Sequence, residues 1–271
     1  MFDIDKINKL PPEQQKDLLE LLSQYESAKR REDCSDNFLS FVKEMWAAFI
    51  EGYHHKIMSD AFNDVKNGKL KRLIINMPPR HTKSEFASYL LPAWFLGCFP
   101  EKKIIQVAHT AELAVGFGRK VRNLVGSADF KKVFDGVGLQ ADSKAAGRWN
   151  TNKGGEYFAI GVGGAVTGKG ADLLIIDDPH SEQEGQSNDP SVFDKVYEYY
   201  TSGPRQRLQP GGAIIIVMTR WHKRDLTGQI LKSSAQREGV DDWKVIEFPA
   251  ILPSGKSLWQ EFWDIKELEK L

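Results

Sequence analysis

The chain has 271 residues, 41% of them hydrophobic, with seven Trp and fifteen Phe. That is enough apolar material to bury a substantial core, so disorder is excluded as the starting reading. Lys plus Arg and Asp plus Glu both total 37, for a formal charge of zero, and no global basic field marks the chain for nucleic acid. Cys34 and Cys98 are the two cysteines. They are too few for a disulfide framework or a zinc cluster, and they fit a reducing cytoplasm as buried free thiols. The charged start MFDIDKINKLPPEQQKD lacks the apolar core of a signal peptide, and no stretch reaches the roughly 18 apolar residues of a membrane span.

In chain order, PEQQKDLLELLSQYESAKR follows a Pro-Pro start and spaces Leu18, Leu19, Leu21, Leu22 and Tyr25 for an amphipathic helix. FLSFVKEMWAAFIEG predicts a second apolar-faced helix, and HHKIMSDAFNDVKNGK a third that ends at Asn67-Gly68. From residue 71 the pattern changes to short β-rich runs alternating with helical ones: KRLIINM, SEFASYLL, KKIIQVAHT, AELAVGFGRKVRNLV. Such alternation marks βαβ units around a mostly parallel sheet. EYFAIGV, ADLLIIDD, GGAIIIVMT and WKVIEFPAI predict further strands, with helices over PSVFDKVYEYYTSG and KRDLTGQILKSS. The consecutive apolar residues of LLII and AIIIVM suit strands covered on both faces. The resulting division is a helical segment over 1–35, an α/β domain over 36–250 and a connector over 251–271.

KRLIINM runs into Pro78-Pro79-Arg80-His81-Thr82-Lys83-Ser84 and then directly into a helical pattern, which is the setting of a phosphate-binding loop. In such a loop the amides and the helix N-terminus hold phosphates, the Lys neutralises the β and γ oxygens, and the next hydroxyl binds Mg²⁺. Lys83 and Ser84 stand in the order those two roles need. The usual glycines are missing, with Met77 and Thr82 in their places. Pro78 and Pro79 have no amide hydrogen, so a phosphate cradle falls to the amides of Arg80, His81, Thr82, Lys83 and Ser84, with the proline rings fixing φ.

About 90 residues on, ADLLIIDDPHS ends an apolar strand in Asp177-Asp178. This is the form of a Walker B element, whose first carboxylate serves Mg²⁺ beside the loop hydroxyl. Asp178 is then the candidate for activating the attacking water, with Glu182 and Glu184 on the following loop as alternatives. KKIIQVAHT, with EYFAIGV as a second candidate strand, lies between the two motifs in sequence and suggests the P-loop class that has an extra strand between its Walker strands. GGAIIIVMT ends in Thr219, at the strand edge where open α/β sheets bind ligands, so Thr219 is placed to sense the γ-phosphate.

MPPRHTKSE, the GVGGAVTGKGADLLIIDDP stretch from Gly161, and MTRWHKRDLTGQIL together resemble the ATPase domain of tailed-bacteriophage large terminases. The resemblance runs from about Phe38 to about Phe262, and TRWHKRDLTG is its most distinctive part. It implies an ATP-hydrolysing motor, with ATP and Mg²⁺, that moves double-stranded DNA into a procapsid with a portal protein and a small terminase subunit. It implies a ring of five copies in the host cytoplasm, docked transiently at the portal and absent from the mature virion. In such a ring one subunit's arginine reaches its neighbour's ATP; Arg119 and Arg122 are the candidates in trans and Arg80 in cis, though each also reads as an ordinary surface or paired arginine. His54, in Tyr53-His54-His55, stands where the family holds adenine, and a core or surface role is the alternative. The family's second, nuclease domain has no counterpart in these residues, and SLWQEFWDIKELEKL reads as the connector toward it. A helicase-like translocase, or a P-loop relic serving as a structural or DNA-binding module, are the competing readings. The first lacks arginine motifs of a second lobe; the second should have lost Ser84, Asp177 and Asp178.

Overall fold

The structure, a computed structural model, describes residues 11–143, 145–187, 189–236 and 241–270. Its centre is a seven-stranded sheet in the order β3-β4-β2-β5-β6-β1-β7. The strands are β1 (Arg72–Asn76), β2 (Lys103–Ala108), β3 (Arg148–Asn150), β4 (Glu156–Gly161), β5 (Ala171–Asp177), β6 (Leu208–Met218) and β7 (Lys244–Glu247). Every neighbouring pair is parallel except β3 with β4. The mostly parallel α/β sheet expected from the alternating runs is therefore present, with the short antiparallel β3 as an unforeseen edge.

The apolar runs are explained by two cores, one on each face. Leu73 and Ile75 of β1, Leu173 and Ile175 of β5, and Ile215 and Val217 of β6 enter the first. Their neighbours Ile74, Leu174, Ile176, Ile214 and Ile216 enter the second. Side chains still alternate with period two, but both destinations are apolar, so the sequence shows no alternation.

Helices α1 (Pro12–Asp36), α2 (Phe38–Met45), α3 (Tyr53–Lys66), α4 (Leu91–Cys98), α5 (Ala111–Val125) and α6 (Ala128–Val133) contribute chiefly to the first core, and α7 (Ser191–Ser202) and α8 (Leu226–Ala235) to the second. On α1 the expected apolar stripe is not covered: Leu19, Leu21 and Tyr25 are about 60% exposed, and its buried residue is Cys34 near the C-terminal end. Residues 1–10 of the expected N-terminal segment lie outside the described residues. The second predicted helix stops at Met45, because Trp46 and Phe49 turn inward as a pair 5.4 Å apart, with Phe49 packed 5.6 Å from Phe86. Cys34 is buried, but Cys98 is only partly so, a departure from the two buried thiols expected. Among the described residues no helix is long and apolar enough to cross a membrane.

One inference about topology reached the right class for the wrong reason. The strand standing between β1 and β5 in the sheet is β6, not KKIIQVA or EYFAIG, which form β2 and β4 on the far side of β5. Order along the chain does not give order across a sheet; the crossovers decide it.

Candidate active site

The loop after β1 leaves the sheet beside β6, where Met77 donates its amide to the Met218 carbonyl at 3.1 Å. Arg80 and Thr82 then take left-handed backbone conformations, with φ of 63° and 67°. Glycine occupies such positions freely, whereas a β-branched threonine there costs on the order of 1–3 kcal/mol and persists only when its surroundings hold it. Three contacts hold it here. Thr82 Oγ1 donates to the His81 carbonyl at 2.5 Å and lies 2.6 Å from His55 Nε2; His81 Nδ1 meets the Pro79 carbonyl at 2.8 Å. Alternating backbone handedness ahead of a helix start turns successive amides to one side, forming an anion cradle.

Lys83 and Ser84 follow on the first helical turn. Ser84 Oγ donates to Asp177 Oδ1 at 2.9 Å, and Lys83 Nζ lies 2.8 Å from Asp178 Oδ2. The helix then widens into a π-turn over Glu85–Leu90, ahead of Pro92, which has no amide hydrogen to give the Ser88 carbonyl. Ser88, buried on that turn, donates to the other oxygen of Asp177 at 2.7 Å and accepts from Gln106 Nε2 on β2 at 3.0 Å. Ser88 was missed from the sequence, although its spacing of four from Ser84 puts both hydroxyls on one helical face. Asp177 is fully enclosed, and burial, then the neighbouring Asp178 charge, push its pKa up from the ordinary carboxylate range. Ser84 and Asp177 form a hard oxygen set that suits Mg²⁺ completed by phosphate oxygens and water.

Asp178 has φ of 38°, another left-handed residue at the edge of the sheet. Its Oδ1 accepts from the Thr219 amide at 2.8 Å, so the ends of β5 and β6 are tied together through it. Thr219 Oγ1 in turn donates to the Met77 carbonyl at 3.2 Å. Beyond it, TRWHKRDLTG folds around Asp225, which caps α8 by accepting from Gly228 N and takes Arg220 Nε at 2.8 Å. His180, just after the acidic pair, accepts from the Leu226 amide at 3.0 Å. The distinctive motif is thus largely a brace joining the β5 and β6 exits to α8.

The remaining expected residues are more scattered. Pro79 and Arg80 are exposed at the loop tip, and His81 is buried beneath Trp263, its ring stacked at 6.2 Å. Arg119, on α5, is exposed; Arg122, on the same helix, is half-buried and donates to Asn123 Oδ1 at 3.1 Å. His54 is a correction: it is 0% exposed, 3.8 Å centroid to centroid from His55 and 5.5 Å from Trp259, so no free ring face is left for a base. The chain needs its helix α3 to close the first core, and that puts His54 inside. Burial lowers its pKa to about 4 and that of His55 to about 2, and lowers that of His81. Trp259, Phe262 and Trp263, expected in a connector, fold back onto the loop, with Trp263 Nε1 donating to the Arg80 carbonyl at 3.3 Å. A cleft of about 550 Å³ opens beside the loop, against Met77, Pro79, Thr219, Arg220, Glu247 and Phe248.

A strand set apart between a phosphate-loop strand and an acid-tipped strand, with the loop, acids and Thr219 on one sheet edge, defines the extra-strand class of P-loop ATPase folds. Within that class, the chain is similar to the HK97 bacteriophage large terminase, with a TM-score of 0.50 and 16% identity over 82% of this chain and 48% of that one. It also matches a mutant of the Thermus phage P74-26 large terminase ATPase domain, with a TM-score of 0.47 and 14% identity over 82% of this chain and 87% of that one. The chain spans about half the length of the HK97 protein. No protein-family model matches the sequence, and no curated protein matches it. At this identity the likeness to the HK97 enzyme establishes the fold.

Proposed function

We propose that this chain is the ATP-hydrolysing motor domain of a viral large terminase, which drives double-stranded DNA into a procapsid. The observation that carries the reading is the meeting of Ser84 with Asp177 and of Lys83 with Asp178 on one sheet edge, 93 residues apart in sequence for the first pair. Structural charge pairs have no need of a strained loop, a helix start and a buried carboxylate in the same place.

In this reading the loop amides and Lys83 bind the ATP phosphates, and Ser84 and Asp177 would hold Mg²⁺, which would supply positive charge to the phosphates. Lys83 is shared: it pairs with Asp178 at 2.8 Å, and a bound phosphate would compete for it. Asp178 Oδ2 is then free to accept a proton from the attacking water, while Oδ1 keeps its bond to the Thr219 amide. A movement of Asp178 is therefore felt at Thr219, at the Met77 carbonyl and in the brace around Asp225, a route by which hydrolysis reaches α8. The exposed Arg119 is the better placed of the two α5 arginines to serve a neighbour's site in a ring of five copies. The portal protein, a small terminase subunit and DNA are the proposed partners, met in the host cytoplasm and at the procapsid and not in the mature virion.

The test is Mg²⁺-dependent ATP turnover by the purified chain across a concentration series. Lys83→Ala and Asp178→Asn should each lower turnover by at least about 100-fold, the usual loss on removing one transition-state contact. Turnover rising with concentration supports an assembling motor; full activity in Lys83→Ala refutes the assignment.

A further inference from the structure

His55 lies 27 residues before Thr82 of the phosphate loop, in a helix the sequence gives no reason to join to it, yet its ring reaches this strained residue. The hydrogen-bond roles are fixed by geometry. His55 Nδ1 accepts from the Gly52 amide at 2.8 Å, so the ring proton of the neutral imidazole is on Nε2. That nitrogen donates to Thr82 Oγ1 at 2.6 Å, and Thr82 Oγ1 donates onward to the His81 carbonyl at 2.5 Å. The His55 ring and the Thr82 hydroxyl each both accept and donate, between an amide that only donates and a carbonyl that only accepts, so neither is left to choose another orientation.

The ring itself is held on all sides. It stacks on Phe86 at 4.7 Å, meets Phe49 at 4.8 Å and Trp259 edge-on at 5.0 Å, and has no exposed surface. Gly52 permits this closeness, since a Cβ there would lie 2.5 Å from Trp259 Cδ1. A rigid donor is thus aimed at a threonine that stands, with φ of 67°, in the position just before Lys83 where a phosphate loop ordinarily has glycine.

We propose that His55 is the positioning residue of the phosphate loop, holding Thr82 in its left-handed conformation by a hydrogen bond where glycine would need none. The inference rests on the ATP-binding reading of the loop. It accounts for a loop without either customary glycine keeping the backbone that sets Lys83 and Ser84, and it makes residues 52–55 part of the nucleotide site without touching nucleotide.

Two substitutions separate the hydrogen bond from the packing. Gln places an amide near the position of Nε2 and preserves the donor to Thr82, whereas Asn matches Nδ1 and keeps only the acceptor for the Gly52 amide. His55→Asn should raise KM for ATP about tenfold, the worth of one such bond, with kcat reduced less; His55→Gln should stay within about threefold of the unaltered chain. The decisive arm is the Thr82→Gly background. Glycine adopts the left-handed conformation unaided, so there His55→Asn should add no further rise in KM. An equal rise in both backgrounds would overturn the proposal, and so would His55→Gln behaving as His55→Asn does. Urea midpoints of the unaltered chain, His55→Asn, Thr82→Gly and the double variant give a readout without nucleotide: the loss caused by His55→Asn should shrink when Thr82 is glycine. If the unaltered chain neither binds nor hydrolyses ATP but this coupling in the midpoints is present, the ATP reading fails while the clamp stands; if the coupling is absent, the clamp itself fails.

Discussion

The amino ends of the central strands carry charges paired near the surface. Lys102 meets Asp172 at 2.9 Å with its side chain 43% exposed, and Asp241 receives both Arg72 and Arg205. The carboxyl ends carry the same kinds of group, with Lys83 and Asp177 withdrawn from water and Asp178 37% exposed beside them. Lys83 is 7% exposed on Asp178, Asp177 is shared by two serines, and Arg80, Thr82 and Asp178, the non-glycine left-handed residues among the described ones, gather there. At the amino ends the pairs close on themselves. At the carboxyl ends the Lys83–Asp178 and Ser84–Asp177 contacts are the ones that phosphate and a cation would replace under the proposed function. Desolvation without a permanent partner costs stability, and a fold retains it where function needs it.

The contrast can be tested by acid. His54, buried at the carboxyl edge, has its pKa lowered from 6.5 to about 4. Below pH 6.5 the unfolded chain binds a proton that the folded chain refuses until about pH 4, so stability falls as pH drops through that window. The loss is on the order of 1 kcal/mol per pH unit for this group, and urea midpoints at pH 7.5, 6 and 4.5 would measure it. His54→Gln, which does not titrate, should remove this group's share of the slope and leave that of His55 and His81, whose pKa values are also lowered. An unchanged slope would mean that the carboxyl edge tolerates charge as the amino edge does.

A smaller effect is expected from Ser88→Ala. It leaves Asp177 with Ser84 as its one hydroxyl partner, frees Gln106 Nε2, and should weaken Mg²⁺-ATP binding about tenfold with little change in fold, read by titration with a fluorescent nucleotide. Unaltered affinity would reduce Ser88 to packing. The smallest belongs to the amino edge: Lys102→Ala should cost under about 1 kcal/mol in thermal unfolding, less again in high salt, and leave turnover untouched. A larger loss there would erase the distinction between the two edges.

Much of the fold was legible because its strands are short, apolar and bounded by helical patterns. KRLIINM, KKIIQVA, ADLLIID and AIIIVM became β1, β2, β5 and β6. The helix over FLSFVKEMWAAFIEG was overextended, since tertiary packing of Trp46 and Phe49 broke a periodicity that local pattern would have continued. Lys83, Ser84, Asp177 and Asp178 could be read as a set because strand-loop-helix and strand-acid junctions are local patterns with a chemical purpose. Ser88 was legible in principle from its helical spacing. His55 was not, because its neighbour His54 has the same local setting, and only the rotation of α3 against the loop separates the ring that reaches Thr82 from the one sealed in the core.

The sequence by itself determined the strands other than the short β3, that they lie mostly parallel, and which junctions are candidates for phosphate and acid chemistry. These follow from hydrophobic period and from residue types confined to a few neighbours. Tertiary structure alone decided that β6 stands between β1 and β5, that Asp177 is held by two serines, and that the aromatic tail closes over the loop. The side-chain contacts of Asp177 and of the tail join residues from 89 to 183 positions apart. Crossover connections and side-chain packing bring such residues together, and no spacing along the chain encodes the result.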